Sequence, residues 1–213
     1  NLFENNTLDT CAFEAADTGA FYVCGQQATA FTNRGNVLRG NTFVNIRNLN
    51  GVGASKSSLD VQGVYLDDQM SGWLVERNRF VNCTVGMFIG GGRDNVVRQS
   101  YFESCALAVH LDDRGATWEA KDTNCTAPQP CKPGQCYCNP AGAVWLANAN
   151  PGIAKRWPQM LNTTALTKPA FSRIVDNAYC SCGRFLDQTD AQARAWRVTL
   201  ARNKNVTTRC KHV

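Results

Sequence analysis

The chain has 213 residues, of which 44% are hydrophobic and 18% are charged, and this balance excludes an intrinsically disordered chain. The formal net charge of +5 is spread along the chain without a basic block, which argues against a nucleic-acid partner and still suits a matrix glycan. No apolar run reaches the roughly 18 residues that a bilayer-spanning helix needs, so we predict no membrane span.

Cysteine content and glycosylation motifs predict a secreted protein. The chain carries 11 cysteines, a load typical of secreted proteins, which oxidise their thiols to disulfides. Because the number is odd, at least one thiol is free or pairs with another chain. Asn-x-Ser/Thr motifs predict the same location, with N-glycosylation expected at Asn5, Asn82, Asn124, Asn162 and Asn205.

A short repeat organises the chain from its first residues. The pattern is an apolar pair, polar residues, Asn-x-aromatic, and Cys or Ile three residues later, and its copies lie at 37–46, 74–83, 96–105 and 174–182. Phe80 and Phe102 are 22 residues apart, whereas insertions lengthen the other steps. A period near this length with short strands is typical of a solenoid. Because Asn1 and Phe3 already start the pattern without a cap, we expect uncapped ends and a longer protein.

A second apolar segment follows each copy, at 63–69, 86–92, 108–114 and 183–188. Since side chains alternate between the two faces of a strand, Leu66, Ile89 and Leu111 are predicted to point inward. We therefore predict an all-β chain, a right-handed parallel β-helix with rungs of about 22 residues that forms one domain over 1–213. Leucine-rich repeats have similar periods, but their leucine-dense consensus is absent. Residues 190–201 fit a short helix, and the second half of this segment also fits a final strand.

The segment 116–170 interrupts the stack and is rich in proline and cysteine. We predict a disulfide-pinned loop held by Cys125, Cys131, Cys136 and Cys138. Zinc is the alternative, but the paired C-x-x-C spacing is absent, and so we predict no metal here. Cys83 and Cys105 occupy equivalent positions on neighbouring rungs, where they could form a disulfide or a buried stack of thiols.

The run at 63–115, from GVYLDDQ to VHLDDRG, resembles the right-handed β-helix repeat proteins of the pectin-lyase-like superfamily. The resemblance covers roughly 36–187 and implies the fold. It also places the chain near polygalacturonases, which share the superfamily and use clustered aspartates, although their Gly-His-Gly motif is absent here.

The outward positions of the second strand are the candidate substrate surface. Sugar rings stack on Tyr or Phe, their hydroxyls bond to Asp and Arg, and glycines leave room for a ligand. We therefore predict a polysaccharide cleft over 63–69, 86–94 and 108–114. The alternative is that 116–170 covers these rings. From one rung to the next, the cleft would hold Tyr65, Asp67 and Asp68, then Phe88, Gly90, Gly91, Arg93 and Asp94, then His110, Asp112, Asp113 and Arg114, and finally Phe185 and Asp187.

Glycoside hydrolysis is the first reaction that these residues suit. Asp67 and Asp112 lie two rungs apart, which places their backbones about 9.6 Å apart, close to the roughly 6.5–9.5 Å between the carboxyls of inverting hydrolases. One carboxyl would protonate the leaving oxygen and the other would activate water, with the sugar in the gap at Gly90. His110 is a further candidate acid or base, and stacking on neighbouring Phe rings is its alternative role.

β-Elimination on a uronic acid is the second reaction. It needs Arg or Ca²⁺ to neutralise the substrate carboxylate, together with a base. Arg93 and Arg114 are the candidate cations, and Tyr65 and His110 are the candidate bases. Paired Asp residues could hold Ca²⁺ through oxygen ligands, and no other cofactor is predicted.

The leading hypothesis is an extracellular carbohydrate-active protein that binds and cleaves a polysaccharide. The alternative is a non-catalytic structural or adhesive glycoprotein in a larger assembly. Stacked rungs make a stiff rod, and the odd cysteine and uncapped ends suit such an assembly.

Overall fold

A computed structural model describes residues 1–25, 33–47, 61–119, 151–156, 158, 168–206 and 210. Within this part of the chain, three parallel sheets wrap around a single elongated core. Each rung contributes one strand to each sheet in turn, except that the last described rung adds strands only to the first two sheets. Strands that are adjacent in a sheet therefore come from successive rungs. The prediction of an all-β parallel β-helix is confirmed.

The first sheet contains β1 (Leu2–Glu4), β4 (Val37–Arg39), β7 (Leu74–Glu76), β10 (Val96–Arg98), β13 (Arg173–Val175) and β16 (Thr199–Ala201). The second contains β2 (Thr7–Asp9), β5 (Thr42–Val44), β8 (Arg79–Val81), β11 (Tyr101–Glu103), β14 (Ala178–Cys180) and β17 (Lys204–Asn205). The third contains β3 (Thr18–Cys24), β6 (Val61–Asp67), β9 (Val85–Gly90), β12 (Leu107–Asp112) and β15 (Arg184–Leu186).

Short helical segments lie outside the sheets. A 3-10 turn (Arg114–Ala116) follows β12, and α1 covers Pro151–Arg156. Helix α2 (Asp190–Ala195) begins after Thr189, whose hydroxyl accepts the backbone N–H of Gln192 at 3.2 Å. Helix α2 is followed by β16. The helix and the strand that we expected within 190–201 are therefore both present. No helix in the described ranges is long and apolar enough to cross a membrane.

Each described corner between the first and second sheets, and each described corner that leaves the second sheet, contains a residue in the left-handed backbone region. This conformation turns the chain sharply between two short strands, and polar residues or glycine accept it most readily. Between the first and second sheets, this residue is Asn5 (φ 58°), Gly40 (63°), Arg77 (54°), Gln99 (52°), Asp176 (59°) or Arg202 (53°). After the second sheet, it is Thr10 (52°), Asn45 (55°), Asn82 (54°), Ser104 (53°) or Ser181 (52°).

Identical side chains stack inside the coil. The Phe80 ring lies between Phe43 and Phe102, with centroids 5.0 and 4.7 Å apart and nearly parallel planes. Leu66 and its equivalents Ile89 and Leu111 are fully buried in the same core, as their inward positions predict.

Corner amides form a hydrogen-bond ladder along the coil. The Asn78 Oδ1 atom accepts from the backbone N and the Nδ2 of Asn41, at 2.9 and 3.0 Å. Asn78 Nδ2 in turn donates to the Leu38 carbonyl at 2.9 Å. Successive members are 35, 37, 22, 77 and 26 residues apart in sequence, so insertions of very different length leave the rungs in register. The ladder consists of Asn6, Asn41, Asn78, Ser100, Asn177 and Asn203.

The two equivalent cysteines are buried thiols and do not form a disulfide. Cys83 and Cys105 each point their sulfur at a backbone carbonyl of the preceding rung, and Cys182 continues the column. A disulfide joins Cys180 to Cys210. The four cysteines expected to pin 116–170 lie outside the described residues.

We expect Asn78→Ala to lower the free energy of unfolding by about 3 kcal/mol, because it leaves the buried Asn41 N–H and Leu38 carbonyl without their partner. Asn6→Ala is the matched control, since Asn6 occupies the same ladder position on the exposed first rung. Its loss should stay below about 1 kcal/mol. Urea unfolding of both variants measures the difference, and equal losses would show that the ladder does not carry the stability of the coil.

Candidate functional site

A column of aromatic rings runs along the outer face of the third sheet. Tyr22 packs against Tyr65, Tyr65 stacks on Phe88 and Phe88 meets His110, with centroids 5.2, 4.5 and 4.1 Å apart. Tyr65, Phe88 and His110 share one face, as predicted. Their predicted exposure is wrong in the middle of the column, because Tyr65 is 3% and Phe88 7% exposed. Phe185, predicted in the same column, instead packs inside the coil against Phe102 and Tyr179, so its predicted outward position is wrong.

The Arg114 side chain covers the buried rings. Its guanidinium carbon lies 4.9 Å from the Phe88 centroid and 5.1 Å from that of Trp118. Its Nε and Nη2 atoms donate to Asp112 at 2.9–3.1 Å, while Nη1 donates to Asp67. Burial lowers the pKa of Arg114, but Asp112 and Asp67 outweigh that effect and raise it, so the guanidinium stays charged.

The gap expected to hold a sugar is filled by this arginine. A Cβ atom at Gly90 would lie 2.6 Å from Arg114 Cζ, and one at Gly91 would lie 2.8 Å from Arg114 Cγ. The glycines therefore leave room for a side chain of the protein itself. Asp67 and Asp112, the two predicted catalytic carboxylates, are brought together as expected, but one guanidinium binds both of them.

An open cavity of about 270 Å³ remains at one end of the ring column. Tyr22 and Trp118 keep 43% and 64% of their surface exposed at its edge. Within it, the Tyr22 hydroxyl donates to Asp67 Oδ2 at 2.6 Å, and the Tyr65 hydroxyl donates to Asp17 Oδ1 at 3.3 Å. We call it the Glu119 cavity; its described lining is Asp17, Tyr22, Tyr65, Asp67, Asp68, Arg114, Trp118 and Glu119.

Glu119 is the site residue that the sequence did not indicate. It is 2% exposed, and Gln69 Nε2 donates to its Oε2 at 2.8 Å. Burial, followed by a hydrogen bond to Asp68, raises the pKa of the Glu119 carboxyl to about 9. A pKa of about 9 favours the protonated form of the Glu119 carboxyl at neutral pH. No motif marks this residue, since it is a single acid at the start of a long insertion.

Asp68 also belongs to a group of possible metal ligands. The ligand atoms of Cys24, Asp67 and Asp68 lie within 4.8 Å of one another, and Cys24 Sγ donates to Asp68 Oδ2 at 2.9 Å. The Ca²⁺ expectation would use these oxygens. However, Arg114 already bonds to Asp67, and a thiol is a poor ligand for a hard cation.

His110 and Asp113 lie at the other end of the ring column. His110 Nδ1 bonds to Asp187 on the following rung, and the backbone N of Leu111 donates to Asp187 Oδ1 at 3.2 Å. Asp113 pairs with Lys168 Nζ at 2.8 Å. Neither His110 nor Asp113 lines the Glu119 cavity.

Arg93 does not join this site. It is 1% exposed, lies 5.1 Å from the Phe171 ring centroid and is 3.8 Å from Asp94, which also pairs with Arg34 at 2.6 Å. Arg93, predicted as a cation for a substrate carboxylate, is therefore buried beside Phe171 and is absent from the described lining of the Glu119 cavity.

The predicted glycosylation motifs fall on corners and on the last rung. Asn5 and Asn205 are exposed, whereas Asn82 is half-buried and its Nδ2 donates to Asn45 Oδ1 at 2.7 Å. A glycan at Asn82 would replace that hydrogen bond. The remaining motifs lie outside the described residues, at Asn124 and Asn162.

Comparison of the chain with known protein families, with curated proteins and with solved structures found no match. The resemblance to pectin-lyase-like proteins thus stands on the coil and on the residues quoted for it.

We expect Gly90→Ala to lower the free energy of unfolding by about 2 kcal/mol, because its Cβ would displace the Arg114 guanidinium. Gly152→Ala is the control, since a Cβ there has no atom within 4 Å. Urea unfolding compares the two. An unchanged Gly90→Ala midpoint would contradict the tight packing of Arg114 against Gly90.

The raised pKa of Glu119 also predicts a pH dependence of stability. A carboxyl that holds its proton more tightly when folded contributes stability that is complete below its unfolded pKa of 4.5 and is lost as the pH rises through about 9. Glu119→Gln should remove this decline, whereas Glu4→Gln, at an exposed position, should keep it. Urea unfolding at several pH values tests the slope, and an unchanged slope in Glu119→Gln would contradict the assignment.

Proposed function

We propose that this chain is an extracellular carbohydrate-active protein that binds and cleaves a polysaccharide in the Glu119 cavity. The observation that carries the proposal is the buried Glu119 carboxyl beside the exposed Trp118 ring in an open cavity. Burial there raises the pKa of Glu119 to about 9, which favours a carboxyl that can donate a proton. A sugar can stack on Trp118 and Tyr22, both of which present an apolar face with a polar edge. Carboxylate and hydroxyl groups within the cavity can bond to its hydroxyls.

Glycoside hydrolysis is the reaction that this chemistry supports best. It needs one carboxyl that carries a proton at neutral pH and one ionised carboxylate. We assign the proton donor to Glu119 and the activation of water to Asp17, the exposed carboxylate of the lining. Asp67 and Asp112 then act as positioning residues, because both hold Arg114 in place.

The second candidate is the non-catalytic structural glycoprotein. The burial of Tyr65 and Phe88 favours it, since a covered ring column stiffens the coil and offers little surface to a ligand. Arg114 supports the same view, because it ties Asp67 on β6 to Asp112 on β12 across the intervening rung.

An activity screen on neutral, amino and uronic polysaccharides separates these candidates. It follows new reducing ends together with the absorbance of unsaturated uronate. Glu119→Gln should lower kcat by about a hundredfold or more while binding is retained, as expected for loss of an acid catalyst. Trp118→Ala should weaken binding, whereas Trp118→Phe should largely preserve it.

Glu4→Gln is the matched control for the carboxyl-to-amide change and should keep full activity, because Glu4 is exposed on the first strand and does not line the cavity. Reducing ends without new absorbance support hydrolysis. New absorbance would instead establish elimination. Failure of every substrate to bind or to be cleaved would contradict the proposal and favour the structural glycoprotein.

A further inference from the structure

The charge of the Glu119 cavity is opposite to that of the chain. The whole chain has a formal net charge of +5. Among the described lining residues, the carboxyl groups of Asp17, Asp67, Asp68 and Glu119 face a single cation, Arg114. A ligand that enters the cavity therefore meets a negative potential, despite the basic surface elsewhere.

Carboxylates of the protein already hold each nitrogen atom of the Arg114 guanidinium. Its Nε and Nη2 atoms are held by Asp112, its Nη1 atom by Asp67, and its plane lies over Phe88. Only 3% of the residue is exposed. Lys168, on the far side of Asp113, is paired with that carboxylate. Among the described lining residues, a uronate carboxylate would thus meet no cation that is not already bound to a carboxylate.

A protonated amine has the complementary chemistry. Carboxylate oxygens accept hydrogen bonds from an ammonium group, and charge-assisted bonds of this kind are the stronger ones. The faces of Trp118 and Tyr22 also attract a cation held against them. Both rings are exposed at the edge of the cavity, next to the carboxylates.

We propose that the Glu119 cavity selects an amino-sugar polysaccharide with free, protonated amines and rejects a uronate polymer. This inference rests on the proposed function, because it names the substrate class of the same site. It favours hydrolysis over β-elimination, since the latter requires a substrate carboxylate to be neutralised.

The test uses three oligosaccharides of equal length: glucosamine with free amines, its fully N-acetylated counterpart, and an oligogalacturonate. Titration calorimetry with the whole chain measures each affinity at low and high salt. We expect the free-amine ligand to bind about tenfold more tightly than the N-acetylated one at low salt, and this advantage should shrink as salt screens the charges. The oligogalacturonate should show no saturable binding.

Three variants test whether the free-amine preference arises in the cavity. Asp17→Asn should weaken free-amine binding about threefold, the range expected for one exposed charge, whereas Asp190→Asn, an exposed acid on α2, should leave it unchanged. Trp118→Ala should weaken binding of both glucosamine ligands.

Equal affinity for the free-amine and N-acetylated ligands, or saturable binding of the oligogalacturonate, would overturn this inference and leave the proposed function standing. Binding of none of the three ligands would overturn both.

Discussion

The amide ladder at the corner between the first two sheets sets the geometry on which the other features depend. Each side-chain oxygen accepts the backbone N–H of the equivalent residue one rung earlier, as Asn78 does for Asn41 and Asn177 for Ser100. This hydrogen bond fixes the register between neighbouring rungs, and therefore which side chains stack on each other. Once that register is set, phenylalanines meet phenylalanines inside, and rings and carboxylates line up outside. Even a step of 77 residues returns the chain to the same position.

Much of this register could be read from the sequence. Asn-x-aromatic copies identified Asn41, Asn78 and the Phe80 stack, and strand alternation placed Leu66 inward. The side chains that pack over the outer face could not be predicted. Strand alternation shows on which face of the sheet a side chain lies, but it does not show which other parts of the chain pack against that face. Arg114 fills the space beside Gly90, and Glu119 enters from an insertion with no repeat to mark it. Long-range contacts of this kind depend on the path of the chain after β12.

The outer face therefore has two parts with different physical character. Its middle is closed by Arg114 and is held together by opposite charges over stacked rings. Its end near Tyr22 and Trp118 stays open. Among the described lining residues there, several carboxyl groups lie close to one cation, Arg114. The closed part explains why a structural role is a reasonable alternative. The open part is the site at which we propose that a sugar binds, and its negative charge is the basis for the proposed preference for free amines.

The thiol column has a consequence for how opening of the coil could be observed. Cys83 and Cys105 are 2% and 1% exposed, and Cys182 is half-buried on the following rung. A thiol reagent can modify Cys83 or Cys105 only after the strands around them separate. A hydrogen bond with Cys105, followed by burial, raises the pKa of Cys182 and favours its unreactive protonated form. Since the three sulfurs lie on successive rungs, the order in which they become labelled would report where along its length the coil first comes apart.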